Sequence, residues 1–202
     1  MTKYVSRSEM DAVSNEIYPL LPKQFRDRLP AEAKASAQNT EIFKATLHVM
    51  PSLVNVAFKQ VKYKDGEDWL MWKLVAAFYL IEQRIGPNSV RQAGERIYST
   101  MPWPPMVSSL ADALRFTEIA YFESHLRGPK EVVGCWRVES EARGRTVLVD
   151  DTPYPCNVNE GVIAGICSAF SKQKPLYRIM DLPEAKRSGG LTTRYEVMFE
   201  PA

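Results

Sequence analysis

The sequence predicts an α+β fold, with an N-terminal helical bundle packed on a mainly antiparallel four-stranded sheet and one helix inserted between two hairpins. Two observations carry this. Apolar residues recur at helical spacing from Ser8 to Leu126, whereas short β-branched and aromatic runs separated by turn residues dominate from Val132 onward. Helices that all precede strands indicate an α+β arrangement, not an alternating α/β one. The 202 residues, 45% hydrophobic and 25% charged, are enough to bury a core in one domain.

Residues 1–40 read as a helical arm. Met10, Val13 and Ile17 share one face of a helix from Ser8 to Tyr18, which Ser6 or Ser8 can cap, and Pro19, Pro22 and Pro30 break the rest of the arm into short pieces. Leu20, Leu21, Phe25 and Leu29 complete an apolar set too sparse to form its own core. The arm is therefore expected to pack on another surface, and a homodimer is expected to supply it.

Residues 41–202 read as a single domain of the ligand-binding type. Thr40 is placed to cap a helix carrying Ile42, Phe43 and Leu47, and Ser52 to cap the next, which Asp65-Gly66 ends. Glu67 to Ile85 is apolar over most of its circumference and must be covered on several sides. Gly86-Pro87 stops it, and a helix from Val90 to Thr100 comes next, with Asn88 or Ser89 as its cap. The prolines of Met101-Pro102-Trp103-Pro104-Pro105 form a rigid connector. Ser108 or Ser109 then starts a helix from Leu110 to Leu126, and Gly128-Pro129 hands the chain to the sheet.

The densest signals lie between Val132 and Gly165. Val132–Val138 and Thr146–Val149 face each other across Glu-Ala-Arg-Gly-Arg as a hairpin, and Pro153 and Pro155 end the second strand. Asn157 with Glu160 reads as a helix start, after which Val162, Ile163, Ile166, Cys167 and Phe170 line one face. Gly161 and Gly165 leave a smooth second face, on which the sheet is expected to lie. Strands from Leu176 to Leu182 and from Thr193 to Phe199, joined through Ser188-Gly189-Gly190, close the chain.

The order of hairpin, Pro-Cys corner, helix and final strand Arg194-Tyr195-Glu196-Val197-Met198-Phe199 resembles the 4-vinyl reductase domain and its relatives. These include the haem nitric-oxide-binding domains, myxobacterial domains of similar length and the TRAPP-type trafficking subunits. Gly86 and the central Gly94 fit the helical half of these relatives. The resemblance spans Leu53 to Phe199 and implies a small apolar or aromatic molecule, or an acyl chain, held between the helical half and the sheet. Trp72, Phe78, Trp103, Phe116, Tyr121, Trp136 and Tyr154 are the candidate lining, each also suited to simple core filling. The resemblance implies a non-enzymatic cytoplasmic sensor or scaffold that binds such a ligand or a protein partner. A tetrapyrrole (vinyl) reductase or its subunit is the alternative, and a DNA-binding regulator a third reading.

Departures from the relatives' patterns decide what is not expected. Cys156 matches the first cysteine of the zinc-binding relatives, but Pro183 to Thr193 contains no thiol, so no metal is expected. The haem-binding relatives hold propionates with a YxSxR motif. Here that corner reads Val149-Asp150-Asp151-Thr152-Pro153-Tyr154, whose carboxylates repel propionates, so no cofactor is expected, although His125 is the one candidate axial ligand. His48 and His125 otherwise read as ordinary helix residues. No HExxH, GxSxG, P-loop or GxGxxG is present, so no catalytic residue is assigned. Cys156, beside a helix start, is the reactive-thiol candidate, while Cys135 and Cys167 read as core thiols. The net charge of +2 disfavours a nucleic-acid partner, and no segment reaches the ~18 apolar residues of a membrane span.

Overall fold

A computed structural model describes residues 3–46, 51–64, 68–126, 130–170, 176–180 and 185–199. The arm is three short helices, α1 (Arg7–Asp11), α2 (Ile17–Leu20) and α3 (Lys23–Arg26). Ser6 caps α1 in a reciprocal capping box with Glu9, and Pro19 and Pro22 keep the other pieces to single turns. Met10, Ile17, Leu21, Phe25 and Leu29 are all buried against this same subunit, and α2 packs on the long helix α6 (Met71–Ile85). The surface for which a dimer was expected is supplied within the chain.

Strand β1 (Lys34–Ala35) leads into α4 (Ala37–Thr46), followed by α5 (Pro51–Gln60) and β2 (Trp69–Leu70). Two expected caps are displaced. Thr40 lies inside α4, buried, with its hydroxyl donating to the Ser36 carbonyl, and α5 begins at Pro51, whose missing N–H costs nothing in a first turn. His48, Asp65-Gly66, Gly128-Pro129, Pro175 and Leu182 lie outside the described residues. Nine of the fifteen residues of α6 are buried, so it is covered nearly all round, as its apolar circumference requires. It is shorter than the sequence suggested because Trp69 and Leu70 pair as strand with β1.

Gly86 reverses the chain at φ +108°, and α7 (Pro87–Thr100) starts directly at Pro87 without a side-chain cap. Ser109 and Asp112 form a second capping box at the head of α8 (Leu110–Ser124). That helix stops two residues before expected, at β3 (His125–Leu126). There Ala35 pairs with His125 on one side and Trp69 on the other in a small antiparallel sheet ordered β2-β1-β3.

A short helix α9 (Lys130–Val133) replaces the expected start of the first long strand. Gly134 turns the chain at φ +75°, where a Cβ would stand 2.6 Å from the Asp151 carbonyl oxygen, and β4 (Trp136–Ala142) comes next. β4 pairs with β5 (Arg145–Asp150), which pairs with β7 (Thr193–Met198), which pairs with β6 (Leu176–Met180). The sheet is antiparallel and ordered β4-β5-β7-β6. A 3₁₀ turn (Lys186–Ser188) ending at Gly189, φ +91°, precedes β7.

The inserted helix α10 (Cys156–Phe170) corrects two expectations. It begins at Cys156, so Asn157 is in its first turn, and Glu160 pairs with Arg91 and Arg187 and not with the helix start. Its glycine face meets a helix, not the sheet. Gly161 and Gly165 lie against the backbone of α7 at Arg91 and Glu95, and Gly94 of α7 lies against α10 at Val158, so the two helices touch backbone to backbone.

Candidate functional site

Where α7, α8, α10, β1 and the start of β4 converge, they leave a cavity of about 430 Å³. Leu74, Ile97, Phe116, Trp136, Val158 and Val162 give it apolar walls. Its polar groups are Tyr98, Tyr121, His125, Tyr154 and Asn159, with Ser36 and Ser124 nearby and the exposed Glu123 at the edge. An apolar chamber of this size with a few converging polar groups is the usual form of a small-molecule site.

Each polar group is placed by local structure. Tyr121 and His125 are four residues apart at the end of α8, so their rings stack, with centroids 4.0 Å apart and planes at 25°. The Tyr121 hydroxyl donates to the Val133 carbonyl at 2.6 Å. Tyr154 is held between Pro153 and Pro155 at the corner after β5, and its ring meets Phe78 edge-on at 5.8 Å. His125 lies 2.6 Å through Nδ1 from the Tyr121 carbonyl oxygen and 2.7 Å through Nε2 from the Tyr154 hydroxyl.

These contacts assign the tautomer. A carbonyl oxygen only accepts, so Nδ1 carries the proton. Burial pushes the imidazole down to about 4, partly opposed by the bond to Tyr121, so the ring is neutral and Nε2 is an acceptor. The Tyr154 hydroxyl therefore donates to Nε2.

Of the seven aromatics expected in the lining, Phe116, Tyr121, Trp136 and Tyr154 line the cavity. Phe78 backs Tyr154, and Trp103 backs the wall through Tyr98, Phe116 and Phe170 without itself lining it. Trp72 is buried core on α6. Sequence reasoning missed Tyr98 and Asn159 and read His125 as an ordinary helix residue. The Tyr121/His125 spacing was the one available signal.

Asp150 and Asp151 separate to opposite faces, as adjacent strand residues do. Asp151 accepts from Cys135 N and Arg137 on the outer side. Asp150 is fully buried and accepts from Thr152 N at 2.9 Å, Thr152 Oγ1 at 2.7 Å, Asn159 Nδ2 at 2.6 Å and the buried Lys186 ammonium. Cys156 sits next to this network with its thiol 3.9 Å from Thr193 Oγ1. Burial raises the Cys156 thiol, and the nearby Lys186 only partly offsets it, so the helix start does not yield a ready thiolate. Among the described residues no group of three His, Cys, Asp or Glu is placed to hold a metal, and no helix is long and apolar enough to cross a membrane.

The chain matches no family model and no curated protein. Its backbone does match solved structures. An oxygen-binding H-NOX domain related to soluble guanylate cyclases, in its oxygen complex, shares 14% identity over 82% of this chain and 96% of that one, with a TM-score of 0.54. An H-NOX protein from S. oneidensis in the Fe(II)NO ligation state shares 10% over 82% and 99%, TM-score 0.57. An H-NOX of T. tengcongensis shares 12% over 83% and 99%, TM-score 0.56. At these identities the likeness establishes the H-NOX fold and nothing finer.

Another similar structure, with 14% identity and a TM-score of 0.59, is one that probes haem distortion in the H-NOX family, and the residues of this cavity do not fit haem. An iron ligand must offer a nitrogen lone pair; Nδ1–H of His125 donates to a carbonyl, as in metal-binding histidines, but the Nε2 lone pair is taken by the Tyr154 hydroxyl. Among the described residues no lysine or arginine lines the cavity to meet propionates, and the carboxylate at the corner, Asp150, already has its cation in Lys186.

Proposed function

We propose that this chain is a non-enzymatic sensory or scaffold domain that holds a small apolar molecule in the cavity between its helical half and its sheet. The cavity itself carries the reading: a mainly apolar chamber of about 430 Å³ with a few polar side chains in its wall. The H-NOX fold supports it, since one of the similar proteins binds oxygen and another is ligated by NO. The finer likeness to 4-vinyl reductase domains rests on element order, and a cytoplasmic setting on the composition. Tyr154 and His125 are hydrogen-bonded, but burial raises the phenol and lowers the imidazole, so the pair does not ionise readily, which favours binding over turnover.

Native mass spectrometry of the purified protein tests the proposal. We expect a bound small organic molecule, or uptake of a fluorescent apolar dye, and loss of either on filling the cavity with Ala120→Trp. A protein that carries nothing, takes up no dye and is unchanged by Ala120→Trp overturns it. Elemental analysis and hemin titration are expected to show neither stoichiometric metal nor histidine-ligated haem.

A further inference from the structure

We infer that the cavity selects a neutral molecule bearing a hydroxyl on an apolar body, with Tyr154 accepting that hydroxyl's proton and Tyr98 donating to its oxygen; this rests on the ligand-binding reading above. Most of the polar groups in the cavity wall are already spent. The Tyr121 proton goes to Val133, both nitrogens of His125 are occupied, and the Asn159 amide donates to Asp150 and Thr152. Besides the Asn159 carbonyl and the Glu123 carboxylate, which can only accept, two phenols keep capacity.

The first is on Tyr154. Because Nδ1 of His125 must donate to a carbonyl, Nε2 must accept, and the Tyr154 proton is committed to it. The Tyr154 oxygen can then offer a ligand only lone pairs. The imidazole thus fixes the polarity of a phenol that would otherwise serve either way. The second is on Tyr98, which lines the same cavity and has no hydrogen-bond partner among the described residues. Tyr98 is half-buried, and burial pushes its phenol up to about 12, so its proton stays on near neutral pH.

An acceptor and a donor in the wall of one cavity match a hydroxyl group, which is both. An ether can take the Tyr98 bond but leaves Tyr154 unanswered. A carboxylate has acceptors only and would enter an apolar chamber lined by no cation, next to the carboxylate of Glu123.

Displacement of a bound apolar dye by three matched probes tests the inference: 1-octanol, its isomer 1-methoxyheptane, and octanoate near neutral pH. The expected order is octanol first, the ether about tenfold weaker, and octanoate at least about a hundredfold weaker. Tyr154→Phe should weaken octanol to the level of the ether and leave the ether unchanged. His125→Phe releases the Tyr154 proton, so the ether should gain and the preference vanish; circular dichroism checks that each variant is folded. Equal binding of octanol and ether in the unaltered protein, or octanoate as tight as octanol, overturns the inference while leaving a binding site. Failure of every probe and of the dye overturns the ligand-binding reading and this inference with it.

Discussion

Gly161 of α10 lies directly against the carbonyl of Arg91 on α7, so close that a Cβ added there would stand far inside contact distance of the carbonyl oxygen. Gly94 and Gly165 repeat the contact one turn to either side, and together the three glycines set the separation of the two helices that wall the cavity.

Gly161→Ala is therefore expected to destabilise the protein by about 3 kcal/mol, at the upper end for overpacking, because the obstacle is backbone and cannot rotate away. Gly86→Ala should cost only about 1 kcal/mol: its φ of +108° strains any side chain, yet nothing lies within 4 Å of the new methyl. Urea denaturation of both variants measures the difference. Equal losses would show that the helices can move apart freely.

The stability of this protein should depend on pH through His125. Folded, its imidazole takes a proton only near 4; unfolded, near 6.5. Between those values the unfolded chain binds a proton that the folded one refuses, so stability falls as pH falls. The contribution is complete above about 6.5 and lost on approach to 4, roughly 3 kcal/mol in all. The neighbouring phenols of Tyr121 and Tyr154 are raised and do not titrate there. Denaturation midpoints measured between those limits should decline, and His125→Asn should flatten the upper part of that decline.

Lys186→Met should destabilise by about 3–5 kcal/mol, since it strands the buried carboxylate of Asp150 without its cation. The double variant Asp150→Asn with Lys186→Met should recover much of that loss. A double-mutant cycle reads the coupling, and simple additivity would count against a direct pair.

Ile17→Ala should cost about 2–4 kcal/mol, because the side chain is wholly buried against its own subunit. The unfolding midpoint should not change with protein concentration in either form. A midpoint that rises with concentration would place the arm's partner on a second copy.

The range of each interaction decides how much of this molecule is legible in its sequence. Periodicity and capping are local, so the sequence alone determined the α+β class, the nearly all-round apolar helix α6, caps at Ser6 or Ser8 and at Ser108 or Ser109, of which the structure uses Ser6 and Ser109, and the strand-breaking corner at Pro153 and Pro155. It also showed that Gly161 and Gly165 make a smooth face. Only tertiary structure decided what lies on that face, since a glycine stripe accepts a helix or a sheet equally well. The same holds for the arm, whose apolar residues required a surface without specifying whose. The polarity of the site was the least legible part. It depends on a carbonyl at the end of α8 meeting an imidazole that faces a phenol 29 residues further along, and donor and acceptor roles arise only once all three groups are in contact.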